Sequence, residues 1–462
     1  MSIKTTLEQI GAAAQKLKNE ATAGGSQMYY IGDVIGDLVE VTEQIHSQME
    51  NGSVSDDELA AIQGANSPNA TNSFATMNDL SDISGLSIQS AVVVETTSNA
   101  KTNGAALIAA YTAAKALTPN GEELSATNRA CVIIPPGNYD LDHGEDDACV
   151  PLTLDTEFVD IIGLTTDRSL QQIYGTPEAT NSGVIVQTAD DVHVSNLYVK
   201  ILTEVGSANW NDTDSAAYFP STSLSNTVVD NCQFDGQGGS KYEGKRLFSM
   251  RLYIEYSGTF NNCTGGNFAF KSTASGTFTN CTGGKAAFGG AGTASGTFTN
   301  CTGGDNSFGG AGGTASGTFT NCTGGGDAFG GGGGTASGTF TNCTGGNYSF
   351  GGDGGTASGT FTNCTGGDYS FGGGGGTASG TFTNCTGGNN AFGGGGTASG
   401  TFNYCTGGAG AFGGGGGTLS GQLYYCRLTT GSFQTLAEGG KLRACVDGSD
   451  TFFDTLDYEV HE

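Results

Sequence analysis

Thr293-Ala-Ser-Gly-Thr-Phe-Thr-Asn-Cys-Thr-Gly-Gly304 is one copy of a sequence that recurs from about Ser257 to Cys426, each time followed by two or three variable residues, a Phe and a run of Gly. Its cysteines fall at 263, 281, 301, 322, 343, 364, 385, 405 and 426, in steps of 18, 20, 21, 21, 21, 21, 20 and 21. A period held that steadily means one supersecondary unit stacked on itself. Within the unit there is no helical spacing of apolar residues. Instead Ala294, Gly296 and Phe298 alternate with Ser295, Thr297 and Thr299, which places the two sets on opposite faces of a strand. Asn300 shifts the alternation by one residue, and Cys301 and Gly303 return to the Phe298 face. Asn tolerates left-handed backbone angles, so the reading is a strand, a bend and a second short strand. A unit of about 21 residues is too short for a helical pair and fits one turn of a parallel β-solenoid.

Parallel coils lie ~4.8 Å apart, so equivalent side chains form ladders. Phe298, Phe319, Phe340, Phe361 and Phe382 are expected to stack in the core, Asn280 through Asn384 to form an amide ladder along one bend, and the cysteines to form a column of buried thiols. Thirteen Cys is an odd number, no CxxC or Cys-His pair has metal spacing, and the four His are scattered. Stacked Cβ atoms would also stand further apart than the ~3.5–4.5 Å of a disulfide. Cys is therefore read as a small interior hydrophobe, with no metal or cofactor expected.

The chain has 462 residues, 81 of them Gly, and a net charge of −28. That balance disfavours nucleic-acid or anionic-membrane partners, whose footprint is a basic patch. No apolar run is long enough to span a bilayer, and Met1-Ser-Ile-Lys4 is not followed by the apolar stretch of a signal peptide, so a protein made in a cytoplasm is expected.

Toward the N-terminus, Leu7, Ile10, Ala14 and Leu17 mark one helix; Ile31, Val34, Leu38, Val41 and Ile45 mark a coiled-coil seam. Residues 1–64 are accordingly read as a helical anchor and oligomerisation region, and 65–90 as a linker. Ala91-Val-Val-Val-Glu95 reads as a strand, residues 103–117 as a helix with Leu107, Ala110, Ala114 and Leu117 on one face, and Ala130 to Leu141 as a buried strand closed by a Pro-Gly turn. Further on, Val184, Val186, Val192, Val194, Leu197 and Val199 are placed inward with Asn196 at a bend. Val229, Cys232 and Phe234 are placed inward with Asn231 at the next bend.

The order Asn103-Gly, Ala-rich helix, then Val132-Ile-Ile-Pro-Pro-Gly-Asn-Tyr139 resembles the start of the pectate-lyase-like right-handed β-helix domain of phage tailspikes and many polysaccharide-active proteins. The resemblance implies a mainly β fold, a right-handed parallel β-helix with a short α-helical region before it, whose helix caps the N-terminal end of the solenoid. It gives a capped irregular β-helix at 91–256, Gly-rich repeats at 257–426 and a closing cap at 427–462. By the same resemblance the expected role is a structural fibre or spike of a virus particle, located on the virion and involved in host attachment. Its expected partners are two further copies in a homotrimer, virion proteins bound through the N-terminal region, and a host surface glycan or receptor.

Glycan cleavage would need two carboxylates roughly 5–10 Å apart across a cleft. Asp190 with Asp191, Glu243 with Glu255, and Asp212 with Asp214 beside Trp210 are the pairs available, and none specifies a catalytic site. Trp210, Asp212 and Asp214 remain candidates for receptor contact, together with Asn306, Tyr348 and Tyr369 among the variable residues that precede each repeat Phe. Three other functions share parts of this pattern: a tailspike depolymerase, a capsid-attached head fibre, and an ice-binding or adhesin solenoid using the outward rows Thr297/Thr299, Thr318/Thr320 and Thr339/Thr341.

Overall fold

The computed structural model describes residues 90–454, apart from 178–181, 203–214, 221–225, 236–247, 251–254, 268, 271–272, 291 and 434–435. The helical anchor region expected at 1–64 and nearly all of the linker lie outside the described residues. The chain divides into two compact units, one holding residues 90–139 and 157–172, the other 140–156 and 173–454.

In the first unit, strand Ala91–Val93 pairs in parallel with Ala130–Ile134, which pairs in parallel with Val159–Gly163. Helix α1, Ala100–Ala114, packs against the first two of these strands through Leu107, Ala110, Tyr111 and Ala114. The Asn99 side chain caps it by accepting from the Thr102 N–H, which starts the helix three residues before the expected Asn103. It also ends before Leu117, which lies beyond the last turn. Asn103 is buried and donates to the carbonyls of Thr97 and Asn138, pinning the helix start to the turn after Pro135-Pro136. Arg129 grips the buried Asp160 carboxylate through two bonds, of 2.8 and 2.6 Å, and lies over the Phe158 ring.

The second unit is mainly β, built from long parallel sheets of regularly repeating strands in the arrangement of a β-solenoid. Its irregular coils bury Val192, Val194, Leu197, Val199, Val229, Cys232 and Phe234, with Asn196 and Asn231 at left-handed bends, as the alternation predicts. Val186 departs from expectation: Ile185 and Gln187 are the buried neighbours of Val184, and Val186 is half-exposed. The reason is polar. Gln187 fills its interior position by donating to Ala189 O and Thr227 Oγ1 and accepting from the Tyr218 hydroxyl.

The coil Thr335–Gly355 represents the repeats. Thr335–Ala336 pairs with Thr314–Ala315 below and Thr356–Ala357 above; Thr339–Thr341 pairs with Thr318–Thr320 and Thr360–Thr362. These are two sheets rather than the single strand expected, because the chain turns at Ser337-Gly338, where both N–H groups converge on Ala315 O. Gly338 is required there: a Cβ would stand 2.2 Å from the carbonyl oxygen of Gly317 in the coil below. Burial still alternates through the corner, with Ala336, Phe340 and Cys343 inside. Asn342 then bends the chain at φ 53°, and Thr344 bridges to Thr323 and Thr365 along a third line.

Phe340 stacks between Phe319 and Phe361 at 4.8 Å, forming the expected aromatic column. A second column, Phe270 through Phe412, rises from the Gly-rich turns beside it. Phe350 stacks on Phe329 and Phe371 at 4.8 Å and meets Phe340 edge-on at 5.6 Å. Parallel-displaced contacts within columns and T-shaped contacts between them each add about 0.5–1.5 kcal/mol beyond burial. The Asn ladder forms as expected, each Nδ2 donating to the Oδ1 one coil below, as in Asn342 to Asn321 at 3.0 Å. The cysteines are free thiols that donate to carbonyls of the coil below, as Cys343 does to Phe319 O. Hydrogen bonding with the Cys281 thiol, then burial, pushes the Cys301 thiol up to about 12.

The expected closing segment carries one further coil: Lys441–Arg443 pairs in parallel with Gln422–Tyr424, and Cys445 extends the thiol column. Phe452–Phe453 then pairs antiparallel with Cys445–Val446.

Candidate functional site

Since stacking occupies the interior of every repeat coil, chemistry is confined to the outside, and the Gly-rich turn is its most variable part. Two positions precede each second Phe. The first is an acceptor position: Asp305 Oδ1 takes the Gly326 N–H at 2.8 Å, Asn347 Oδ1 takes that of Asp368, Asp368 Oδ1 that of Asn389, and Asn389 Oδ1 that of Ala409. A carboxylate and an amide oxygen serve equally here, so Asp and Asn alternate freely. The acidic series of the sequence is thus part of a wider row of Asp and Asn oxygens, interrupted at Lys285 and Gly326 and ended by Ala409.

The second position is occupied by Asn306, Asp327, Tyr348, Tyr369 and Asn390, all left-handed with φ between 50° and 59°. Three sequence candidates, Asn306, Tyr348 and Tyr369, therefore share one column. Tyr348 and Tyr369 are stacked at 5.2 Å with 9° between their planes, whereas Asn306 lies two coils away. Burial, then the neighbouring Asp305 and Asp353 carboxylates, pushes the Asp327 carboxyl above its ordinary value. Trp210, Asp212 and Asp214 fall within 203–214, outside the described residues.

The outward threonines keep strict register: Thr318 with Thr339 and Thr360, Thr320 with Thr341 and Thr362. The outer Thr of each pair is exposed and the inner one half-buried. Of the remaining carboxylates, Asp191 adopts φ 53° at the turn into strand His193–Ser195, a position explained by backbone geometry.

Sequence reasoning missed the corner beyond the last Asn of the ladder. There Tyr404 and Tyr425 occupy the ladder position, stacked at 4.9 Å and 6°, and remain 58% and 51% exposed. The signal was available, since Asn403-Tyr404 replaces Thr-Asn and the repeat fades at Gln422-Leu-Tyr-Tyr-Cys426, which replaces Thr-Phe-Thr-Asn-Cys and is followed by Arg427.

No protein-family model matches this chain, and no curated protein matches it. Among solved structures, ORF18 of Geobacillus virus E2 is similar at a TM-score of 0.31 and 11% identity, over 72% of this chain and 60% of that one.

Proposed function

We propose that the chain is a structural fibre or spike protein of a virus particle, a phage in the first instance, that takes part in host attachment. The observation carrying this reading is the repeat itself. Two Phe columns, an Ala column and a thiol column take up its interior, so what each added coil contributes is length and outer surface. The buried, reduced cysteines suit assembly in a reducing compartment. In this reading residues 1–64 anchor the protein to virion components and join three copies. Residues 91–256 form a right-handed body of the pectate-lyase-like tailspike type, 257–426 the shaft, and 427–462 its closure. A host glycan or receptor is met by the outer surface. Gold-labelled antibody against the full chain should decorate projections on particles from the source lysate; label confined to cell debris refutes the reading, and label on the capsid rather than the tail selects a head fibre. If the protein is instead a depolymerase, host-glycan cleavage should vanish in Asp212→Asn or Asp214→Asn.

The registered Thr rows favour one second reading, an ice-binding face. Thermal hysteresis of the full chain tests it, and none at all ends it.

A further inference from the structure

We propose that the coils around Tyr425 bind an acidic sugar, a pyranose bearing a carboxylate, stacked on the tyrosine ring and paired with Arg443 and Arg427. The starting point is the bend column. From Asn262 to Asn384 it is a chain of amides bonded to one another; then it reads Tyr404, Tyr425 and Ala444. The backbone is unchanged, with φ of 54°, 55° and 52° and the bend bonds Tyr404 N–H to Tyr424 O and Tyr425 N–H to Arg443 O still in place. The coil therefore does not need tyrosine here. Both rings lie outside the core, more than half exposed, and the column continues with a methyl group at Ala444, so among the described residues no third ring or amide of the column covers the far face of Tyr425. A flat aromatic face of this kind suits the apolar face of a sugar ring.

The charges next to it point to an acid. Between Ser257 and Cys426 the cations are Lys271 and Lys285. In the next coil, Arg443 stands beside Tyr424 in register and directly precedes Ala444, while Arg427 follows Tyr425 by two residues on the adjoining sheet. Arg427 meets Asp450 at 3.4 Å with both side chains largely exposed, a weak pair that leaves its guanidinium open to a second carboxylate. Arginine forks match carboxylates in two-bond geometry. With screening over ~8 Å at physiological salt, the acidic excess behind the chain's net −28 acts on this local pair only where its carboxylates lie near. Charges on a final strand also discourage strand addition, which accounts for Arg443 alone. It explains neither tyrosine, one and two coils further in, nor Arg427.

This site deepens the attachment reading by naming a ligand class, and the two are tested apart: antibody labelling locates the protein, titration probes the site. The full chain is titrated calorimetrically with tetragalacturonate and with sialyllactose, two sources of the same chemistry, and with neutral maltotetraose and a thymidine oligonucleotide. At least one acidic sugar should bind about tenfold or more tighter than the neutral one, and more weakly as salt rises. Tyr425→Asn, which restores the residue used at this bend in the regular coils, should lower that affinity about tenfold. Arg443→Gln should remove the preference for acid over neutral sugar, and Lys285→Ala, at an exposed cation many coils away, should change nothing. Absence of acidic-sugar binding, equal binding of the neutral sugar, tighter binding of the oligonucleotide, or unchanged affinity in Tyr425→Asn overturns the proposal.

Discussion

Replacing Phe340 with Ala tests the packing on which the repeats rest. Phe340 is fully buried, with Phe319 and Phe361 parallel to it at 4.8 Å and Phe350 and Phe329 edge-on at 5.6 and 5.9 Å. A buried Phe→Ala change costs about 3–5 kcal/mol, including the cavity that is left when neighbours cannot relax. Relaxation is restricted here, because the coil is bonded both ways: Thr339 N–H to Gly317 O below, and Asn342 N–H to Thr362 O above. The loss should fall toward the upper end of that range. At 1.36 kcal/mol per tenfold, it lowers amide protection by roughly two to three and a half powers of ten. In a stack whose coils touch only their neighbours, the loss stays local. Hydrogen exchange followed by mass spectrometry should show it in peptides spanning 314–376 and leave 397–430 unchanged. A uniform fall along the whole shaft, or a change below about tenfold, would refute nearest-neighbour stacking as the source of stability.

Gly338→Ala should unfold its coils, since the new Cβ meets only backbone, at 2.2, 2.8 and 3.0 Å, whereas Gly333→Ala, with open space around it at φ +79°, should cost about 1 kcal/mol of left-handed strain; equal melting shifts would contradict the register. Asp327 ionises less readily in the folded chain, so its contribution is intact below its ordinary value of 3.8 and is lost as pH rises through the higher folded value. Asp327→Asn should therefore raise the melting temperature at pH 7 and leave it unchanged at pH 3, and the reverse pattern would overturn the assignment. Because every thiol from Cys232 to Cys445 is buried, iodoacetamide at pH 8 should leave the column unlabelled in native protein and label it in guanidinium; native labelling would mean the column is open.

How far the sequence carries depends on which backbone rule governs each residue. Phe298, Asn300 and Cys301 were legible because strand alternation assigns their faces and the period stacks them. The second Phe of each repeat was not, since Phe308, Phe329 and Phe350 sit in Gly-rich turns at φ 53°, where alternation says nothing and an aromatic is unusual. The break at Ser337-Gly338 was hidden for a related reason: inward and outward residues continue to alternate through the corner, although the hydrogen bonds change sheet. Val186 was misplaced because a hydropathy pattern cannot foresee a glutamine held inside by Tyr218 and Thr227. As for the candidate site, Asn306, Tyr348 and Tyr369 were singled out as variable, and the structure places them in one left-handed column.

Variation in such a stack carries meaning only where the ladder did not ask for it. At the Asp305 position Asp and Asn oxygens accept the same N–H, and Lys285 and Gly326 show that the coil closes without one, so exchange there signals nothing. At the Asn342 position the requirement is a left-handed bend together with an amide that both donates and accepts, which Asn meets from 262 to 384. Tyr404 and Tyr425 keep the bend and give up both amide bonds, about 0.5–1.5 kcal/mol each, for rings that protrude into solvent. The exchange returns one ring contact between neighbouring coils, Tyr404 on Tyr425 at 4.9 Å, worth about 0.5–1.5 kcal/mol and lying in solvent rather than in the core. A ladder of mutually bonded amides given up for one exposed ring pair is the pattern expected of residues kept for something outside the fold, which is why the end of the Asn column, rather than its regular middle, is where a ligand should be sought.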